Sequence, residues 1–338
     1  MYQRRDGEMK RRMRYAALFL AGAIQFSSML GGANIAFSEN LTGAAESGTS
    51  ESRTGVVSAA SPSDSASANL SGLQPDSDSA AIGDLINSQY AVVYDLDRGR
   101  IIADKNSSEV INPASMTKVM TLLVCAEHLP DLDKRLTVTQ DIVDYVHAHD
   151  ASNCGLEAGE QISVRDLLYG VILPSGADAV MLLSREIAGS EAAFVGLMNQ
   201  KARELGLSSG AHFSNATGLY DPNHHMTVKD TAEILNAAMK NPTARTVLES
   251  FEYSIPATNK HAAGIRLSNL FLKRIKGQDT GRVSVTAAKT GYVRQSMFCA
   301  VSSGVSESGK HYLVVSGFAS STWQCIADQA ALYRSYCR

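Results

Sequence analysis

Apolar and polar positions divide the chain into three stretches. Residues 15–37 are apolar apart from Gln25, Ser27, Ser28 and Asn34, while 38–85 turn to Ser, Ala, Gly, Asp and Thr, with no aromatic between Phe37 and Tyr90. Patterned segments follow. Residues 90–94 are apolar, Asp95-Leu96-Asp97-Arg98-Gly99 carries turn chemistry, and an apolar run resumes over 100–103, which predicts a β-hairpin. Pro113 then precedes Ser115 and a dense apolar run over 116–129 that fits a mostly buried helix. Helical periodicity covers 164–168, 179–187 and 192–205, the last closed by Gly206, and a further helix over 228–239 stops at Asn241-Pro242. Extended runs at 283–290, 296–302 and 312–318 predict three strands, the last two joined by a hairpin through 304–310, and 323–336 predicts a closing helix. Strands at both ends with helices between them predict an α/β fold of the α+β type. One antiparallel sheet is formed by the two chain ends, flanked by helices, and an all-helical subdomain is inserted.

Charge changes the picture at the start of the chain. The formal net charge is −3, yet Arg4, Arg5, Lys10, Arg11, Arg12 and Arg14 face only Asp6 and Glu8 in the first fourteen residues. A basic head running into an apolar stretch is the layout of an export signal, with Ala36 and Ser38 as small residues for cleavage. The stretch also matches the ~20 residues that span a bilayer, so an uncleaved anchor fits as well. The expected organisation is therefore 1–37 as signal or membrane anchor, 38–85 as a disordered linker and 86–338 as the folded catalytic domain. A random coil of roughly 45 residues spans ~35 to 40 Å, enough to hold a folded domain clear of a membrane. The remainder is net acidic, which argues against nucleic acid as the main partner. Cys125, Cys154, Cys299, Cys325 and Cys337 are odd in number and match no zinc spacing. On one helix Cys325 and Cys337 would stand about 18 Å apart, too far for a disulfide.

Three short strings carry the candidate chemistry: Ser115-Met116-Thr117-Lys118, Ser175-Gly176-Ala177-Asp178 and Lys289-Thr290-Gly291. Ser115 and Lys118, three apart at a helix start, share a face and can touch. A serine hydroxyl needs an adjacent base, and lysine serves when it is neutral. Desolvation and a second nearby cation both lower a lysine pKa, and Lys289 is the candidate second cation. Ser175 offers a relay hydroxyl, and the free N–H groups of a helix start suit an oxyanion.

Beyond these strings, 113–121, Leu167-Leu168-Tyr169-Gly170, Met198-Asn199, Leu205-Gly206, 213–219 and His225-Met226-Thr227 with Asp230 extend one pattern. Over about 90–338 the chain resembles the serine D-alanyl-D-alanine carboxypeptidases, the low-molecular-mass penicillin-binding proteins of peptidase family S11. The resemblance implies a β-lactamase/DD-peptidase-like fold and no cofactor or metal. It implies that Ser115 attacks the carbonyl between the two terminal D-alanines of a peptidoglycan stem peptide, that Lys118 takes the proton and that Ser175 returns one to the leaving amine. Lys289, Thr290 and Gly291 would hold the terminal carboxylate, backbone N–H groups of Ser115 and Tyr292 would form the oxyanion hole, and β-lactams would acylate Ser115. Ala177 stands where the family usually has Asn contacting substrate and base, and the connection Ser320-Ser321-Thr322-Trp323-Gln324 lacks the basic residue relatives often place before their last helix. The additional C-terminal β-domain and amphipathic anchor of many relatives are also absent, so membrane attachment is expected only through the N-terminal segment.

Other signals are weaker. Gly206-Leu207-Ser208-Ser209-Gly210 matches GxSxG, but a helix ends there where the nucleophile elbow needs a strand. His147-Ala148-His149-Asp150 lacks a third ligand spacing and reads as surface. His225, matched to a family histidine, reads as structural or at the rim. A serine β-lactamase of class A would need an ExxLN loop, which the chain does not contain. A DD-transpeptidase differs only in the acceptor, and a weakly active or non-catalytic muropeptide or β-lactam sensor is the alternative that Ala177 keeps open.

Overall fold

The computed structural model describes Pro75 and residues 78–338, so the segment read as signal or anchor and most of the linker lie outside the described residues. In chain order the strands are β1 (Ala80–Ala81), β2 (Tyr90–Asp95), β3 (Arg100–Lys105), β4 (Val110–Ile111), β5 (Arg135–Thr137), β6 (Gln161–Ser163), β7 (Met226–Thr227), β8 (Glu252–Ile255), β9 (Ile265–Ser268), β10 (Val283–Val293), β11 (Met297–Ser306) and β12 (His311–Ala319). The helices are α1 (Lys118–His128), α2 (Gln140–Ala148), α3 (Val164–Ile172), α4 (Ala177–Ala188), α5 (Glu191–Glu204), α6 (Val228–Lys240), α7 (Pro242–Leu248), α8 (Leu270–Ile275) and α9 (Thr322–Tyr336), and a 3-10 turn over Ala114–Thr117 leads into α1.

The main sheet runs β1-β3-β2-β12-β11-β10. Its pairings are antiparallel except for β1 on β3. The two chain ends meet at β2 and β12, where Val92 lies opposite Val315 and Tyr94 opposite Leu313. Successive side chains of a strand point to opposite faces. On β12, Leu313 and Val315 therefore join the core shared with α1 and α6, while Tyr312 and Val314 pack with Leu332 and Tyr333 of α9. Helices cover both faces, which is why 91–94 and 313–315 read as unbroken apolar runs.

The insertion between β3 and β10 is built around α1, whose residues from Lys118 through Cys125 are all buried. It packs against α3, α4, α5, α6 and α7. Polar caps fix the surrounding helix starts. Thr227 and Asp230 form a reciprocal capping box on α6, and Asn269 caps α8 while donating to the Ala288 carbonyl of β10 at 3.1 Å.

Several details depart from the sequence expectation. The helix expected over 116–129 begins at Lys118, because the preceding residues wind as the tighter 3-10 turn. Gly304, read as part of a hairpin loop, lies inside β11. A Cβ there would stand 2.8 Å from Tyr333 Cε1, so glycine lets α9 cross the sheet closely. Pro242 does stop α6, but it also occupies the first turn of α7, where Asn241 accepts from Ala244 N. The inserted subdomain, expected to be all helical, also carries the short ribbons β5/β6 and β8/β9. Among the described residues, β1 lies upstream of residue 86, and Ile82 joins Ile86 beneath α9. All five cysteines are unpaired and buried.

One carboxylate ties the segment just before β2 to the last helix. Buried Asp328 of α9 accepts from Asn87 N at 3.1 Å, Ser88 N at 2.7 Å and Ser88 Oγ at 2.6 Å. Removing it strands buried donors, so Asp328→Ala should lower stability by about 2 to 4 kcal/mol in urea unfolding. Loss of less than about 0.5 kcal/mol would show that water replaces the carboxylate.

Candidate active site

The first string is held by a backbone turn rather than by a regular helix. Ala114, just before Ser115, has φ 48°, in the left-handed region. Two glycines let neighbouring chains close on it. A Cβ on Gly218 would lie 2.1 Å from the Ala114 carbonyl oxygen, and one on Gly291 would lie 3.0 Å from the Pro113 oxygen. Gly218 itself has φ 77°. The Lys-Thr-Gly strand and the 215–219 loop thus grip the turn from two sides.

Lys118 Nζ lies 3.0 Å from Ser115 Oγ and donates to the Thr217 carbonyl oxygen at 2.6 Å. That carbonyl is fixed from both sides. Asn215 Oδ1 accepts from Gly218 N at 2.7 Å, and Thr121 Oγ1 donates to the Ala216 oxygen at 2.7 Å. Lys118 is 2 % exposed. Burial lowers its pKa to about 7, against the opposing pull of Asp178 and Cys154. With one N–H committed to Thr217, the free-base amine has a lone pair available for the Ser115 hydroxyl.

Ser175 sits at the junction of α3 and α4 with φ 66°, a strained conformation for a non-glycine residue. Gly176 N donates to the Gly170 oxygen at 2.9 Å, and a Cβ on Gly176 would meet Cys154 Sγ at 2.4 Å. Lys289 Nζ donates to Ser175 Oγ at 2.9 Å and to the Thr290 oxygen at 2.8 Å. Its pKa falls well below the ordinary lysine value, first through burial and then through the charge of Lys118. Ala177 N donates to the Ser152 oxygen at 2.7 Å, and the Asp178 carboxylate accepts from Cys154 N at 2.8 Å. These bonds bring the 150–156 segment to the mouth of the site.

Ser115, Lys118, Ser175, Ala177, Thr290, Gly291 and Tyr292 all line one cavity of about 300 Å³. Lys289 lies beneath its wall and reaches it through Ser175. The GxSxG serine is elsewhere: Ser208 Oγ donates to Asp230 Oδ2 at 2.7 Å beside the capping box. His147 and His149 are exposed on the end of α2.

The family model described as D-alanyl-D-alanine carboxypeptidase, peptidase S11, matches residues 77–319. The chain belongs to this family. It is 30% identical over 230 residues to the D-alanyl-D-alanine carboxypeptidase DacF of Bacillus subtilis (strain 168), covering 68% of this chain and 57% of that protein. It is 34% identical over 194 residues to the D-alanyl-D-alanine carboxypeptidase of Streptomyces sp. (strain K15), covering 55% and 66%. The chain thus spans less than two thirds of either relative. Among solved structures, the Streptomyces K15 DD-transpeptidase superposes with a TM-score of 0.65 at 27% identity, over 74% of this chain and 95% of that one. The D-alanyl-D-alanine carboxypeptidase from Mycobacterium tuberculosis H37Rv superposes with a TM-score of 0.64 at 25% identity, over 76% and 93%.

Several residues of this S11 site were not found from sequence. The Thr217 carbonyl is a backbone atom, invisible to a motif, though Asn215 with Gly218 three residues later is compatible with the turn that aims it. Arg274 of α8 lines the cavity, and no local pattern linked it to the strings. It supplies a cation at the mouth, where residues 320–324 have none. His224, rather than His225, is the inward histidine: it is 1 % exposed and meets Thr117 Oγ1 at 2.7 Å, while His225 Nδ1 lies 2.7 Å from the Gly210 oxygen. Replacing Gly218 by Ala should displace the Ser115 turn. We expect Gly218→Ala to cost roughly 2 kcal/mol or more of stability and to slow any reaction at Ser115 at least about tenfold. Wild-type values for both would show that the loop relaxes freely.

Proposed function

We propose that this chain is a serine D-Ala-D-Ala carboxypeptidase. The observation that carries the reading is the Ser115–Lys118 pair, an amine of depressed pKa held 3.0 Å from a hydroxyl by the Thr217 carbonyl. Ser115 Oγ attacks the carbonyl carbon between the terminal D-alanines, and its proton passes to Lys118 Nζ. The backbone N–H groups of Ser115 and Tyr292 receive the oxyanion. The C–N bond breaks as the departing amine takes a proton relayed through Ser175 Oγ. Water then adds to the ester, releasing the shortened stem peptide and the Ser115 hydroxyl. Thr290, with Lys289 behind it, holds the terminal carboxylate. β-Lactams present the same carbonyl and leave Ser115 acylated.

Organisation and location follow from the terminal segments. Residues 1–37 act as signal or anchor, 38 to about 79 as tether, and the domain works outside the cytoplasmic membrane on stem peptides. The basic head and apolar stretch support this placement. Among the described residues, no helix is long and apolar enough to cross a membrane.

The full-length chain should release D-alanine from a peptide ending in D-Ala-D-Ala and be labelled by penicillin. Ser115→Ala should abolish both, and a folded parent chain that does neither would overturn the reading. Labelling without turnover would instead indicate a sensor. Because Lys118 is the base when neutral and its pKa lies at about 7, its active form grows as pH rises through 7. The acylation rate should therefore increase nearly tenfold per unit below about pH 6 and level off above about pH 8. A profile that falls over this range would remove Lys118 from the role. Ala177→Asn, which keeps the bond to the Ser152 oxygen, should change the acylation rate severalfold in stopped-flow labelling, and an unchanged rate would show the position to be silent.

A further inference from the structure

The strained turn ahead of Ser115 is held by a buried histidine that the catalytic steps do not use. Ser214 N donates to His224 Nδ1 at 3.1 Å, so in the neutral ring the hydrogen sits on Nε2. That Nε2 lies 2.7 Å from Thr117 Oγ1 and donates to it. The Thr117 hydroxyl, its lone pair so engaged, donates in turn to the Ala114 carbonyl oxygen at 2.6 Å. The same histidine reaches Ala114 by a second route. Its own carbonyl accepts from Asn112 Nδ2 at 2.9 Å, and Asn112 Oδ1 accepts from Ala114 N at 3.0 Å.

The Ala114 carbonyl and the Ser115 N–H belong to one peptide unit. Such a unit is planar and trans, so holding the oxygen on one edge fixes the N–H on the other. Ala114, with φ 48°, has no intrinsic preference for this geometry, and the turn needs outside support.

We propose that His224, acting through Thr117, is a positioning residue that aims the Ser115 backbone N–H at the developing oxyanion. The assignment rests on the acyl-transfer reading and adds to it a source of orientation for one oxyanion donor. The ring must be neutral for the relay to run, since a proton on Nδ1 would confront the Ser214 N–H. Its surroundings favour that form. Burial lowers the His224 pKa to about 4, outweighing the opposing charge of Asp221, while His212, His225 and Lys118 act in the same direction as burial. Phe213 closes the pocket, with its ring edge-on at 5.7 Å.

The test measures Ser115 acylation by a fluorescent penicillin in the full-length chain, separating the chemical step from initial non-covalent binding. Thr117→Val keeps the shape and loses the hydroxyl. It should slow acylation about 10- to 100-fold while initial binding stays within twofold, the pattern for a transition-state contact. Thr117→Ser should restore a rate within about threefold of the parent. His224→Gln, whose amide nitrogen can replace Nε2 as donor, should be faster than His224→Asn, which cannot reach Thr117. In the double variant Thr117→Val/His224→Asn the losses should not multiply, because both remove one relay. Acylation of Thr117→Val at the parent rate, equal rates for the Gln and Asn variants, or multiplying losses would each overturn the relay. If Thr117→Val does not fold, the Gln against Asn comparison decides. Failure of the folded parent chain to be labelled would overturn the acyl-transfer reading and the relay with it.

Discussion

The site depends on two buried amines that cannot both carry full charge at low cost. Lys118 and Lys289 are each 2 % exposed, and each is desolvated by the packing around it. Burial favours proton loss from both, and the charge of Lys118 adds to it at Lys289. The two amines are thus coupled: a proton on either one raises the cost of a proton on the other.

Such coupling requires the two amines to be held by unrelated parts of the chain. Lys118 opens the central helix of the insertion, whereas Lys289 lies on an edge strand of the sheet. The two meet because Gly291 lets that strand close on the Pro113–Ser115 turn and because the Ser175 junction, pinned by the Gly170 carbonyl, presents its hydroxyl to Lys289. The strain at Ala114 and Ser175 is confined to these joints, where the surrounding structure over-determines the backbone.

Much of this could be read from the sequence, for identifiable reasons. Long patterned segments declared themselves: the runs that became β2, β10, β11 and β12, and the dense helix α1, are buried on most sides and leave continuous apolar signatures. Ser115, Lys118, Ser175 and the Lys-Thr-Gly strand were legible because their spacing coincides with predicted element starts and ends. What escaped was short or non-local. The ribbons β5/β6 and β8/β9 and the helix α8 span too few residues for a period to show, and α8 carries Arg274. The Thr217 carbonyl and the Ala114 peptide act through main-chain atoms that no side-chain motif encodes. Gly304 read as a turn because glycine usually marks one, and only the crossing of Tyr333 explains a glycine in mid-strand. Choosing between His224 and His225 required knowing which of two adjacent rings faces inward.

The meeting of β2 with β12 has a consequence for how the domain comes into being. Chain synthesis delivers the Ser115 turn early, but the edge that closes on it, β10 through Gly291, belongs to the last fifth of the sequence and joins the sheet only through β11 and β12. That unit docks through the pairing of β12 with β2, a contact of high sequence separation of the kind that forms slowly. A partly made chain therefore exposes Ser115 without the strand that completes its cavity. The cavity is whole only when the C-terminal strands are in place.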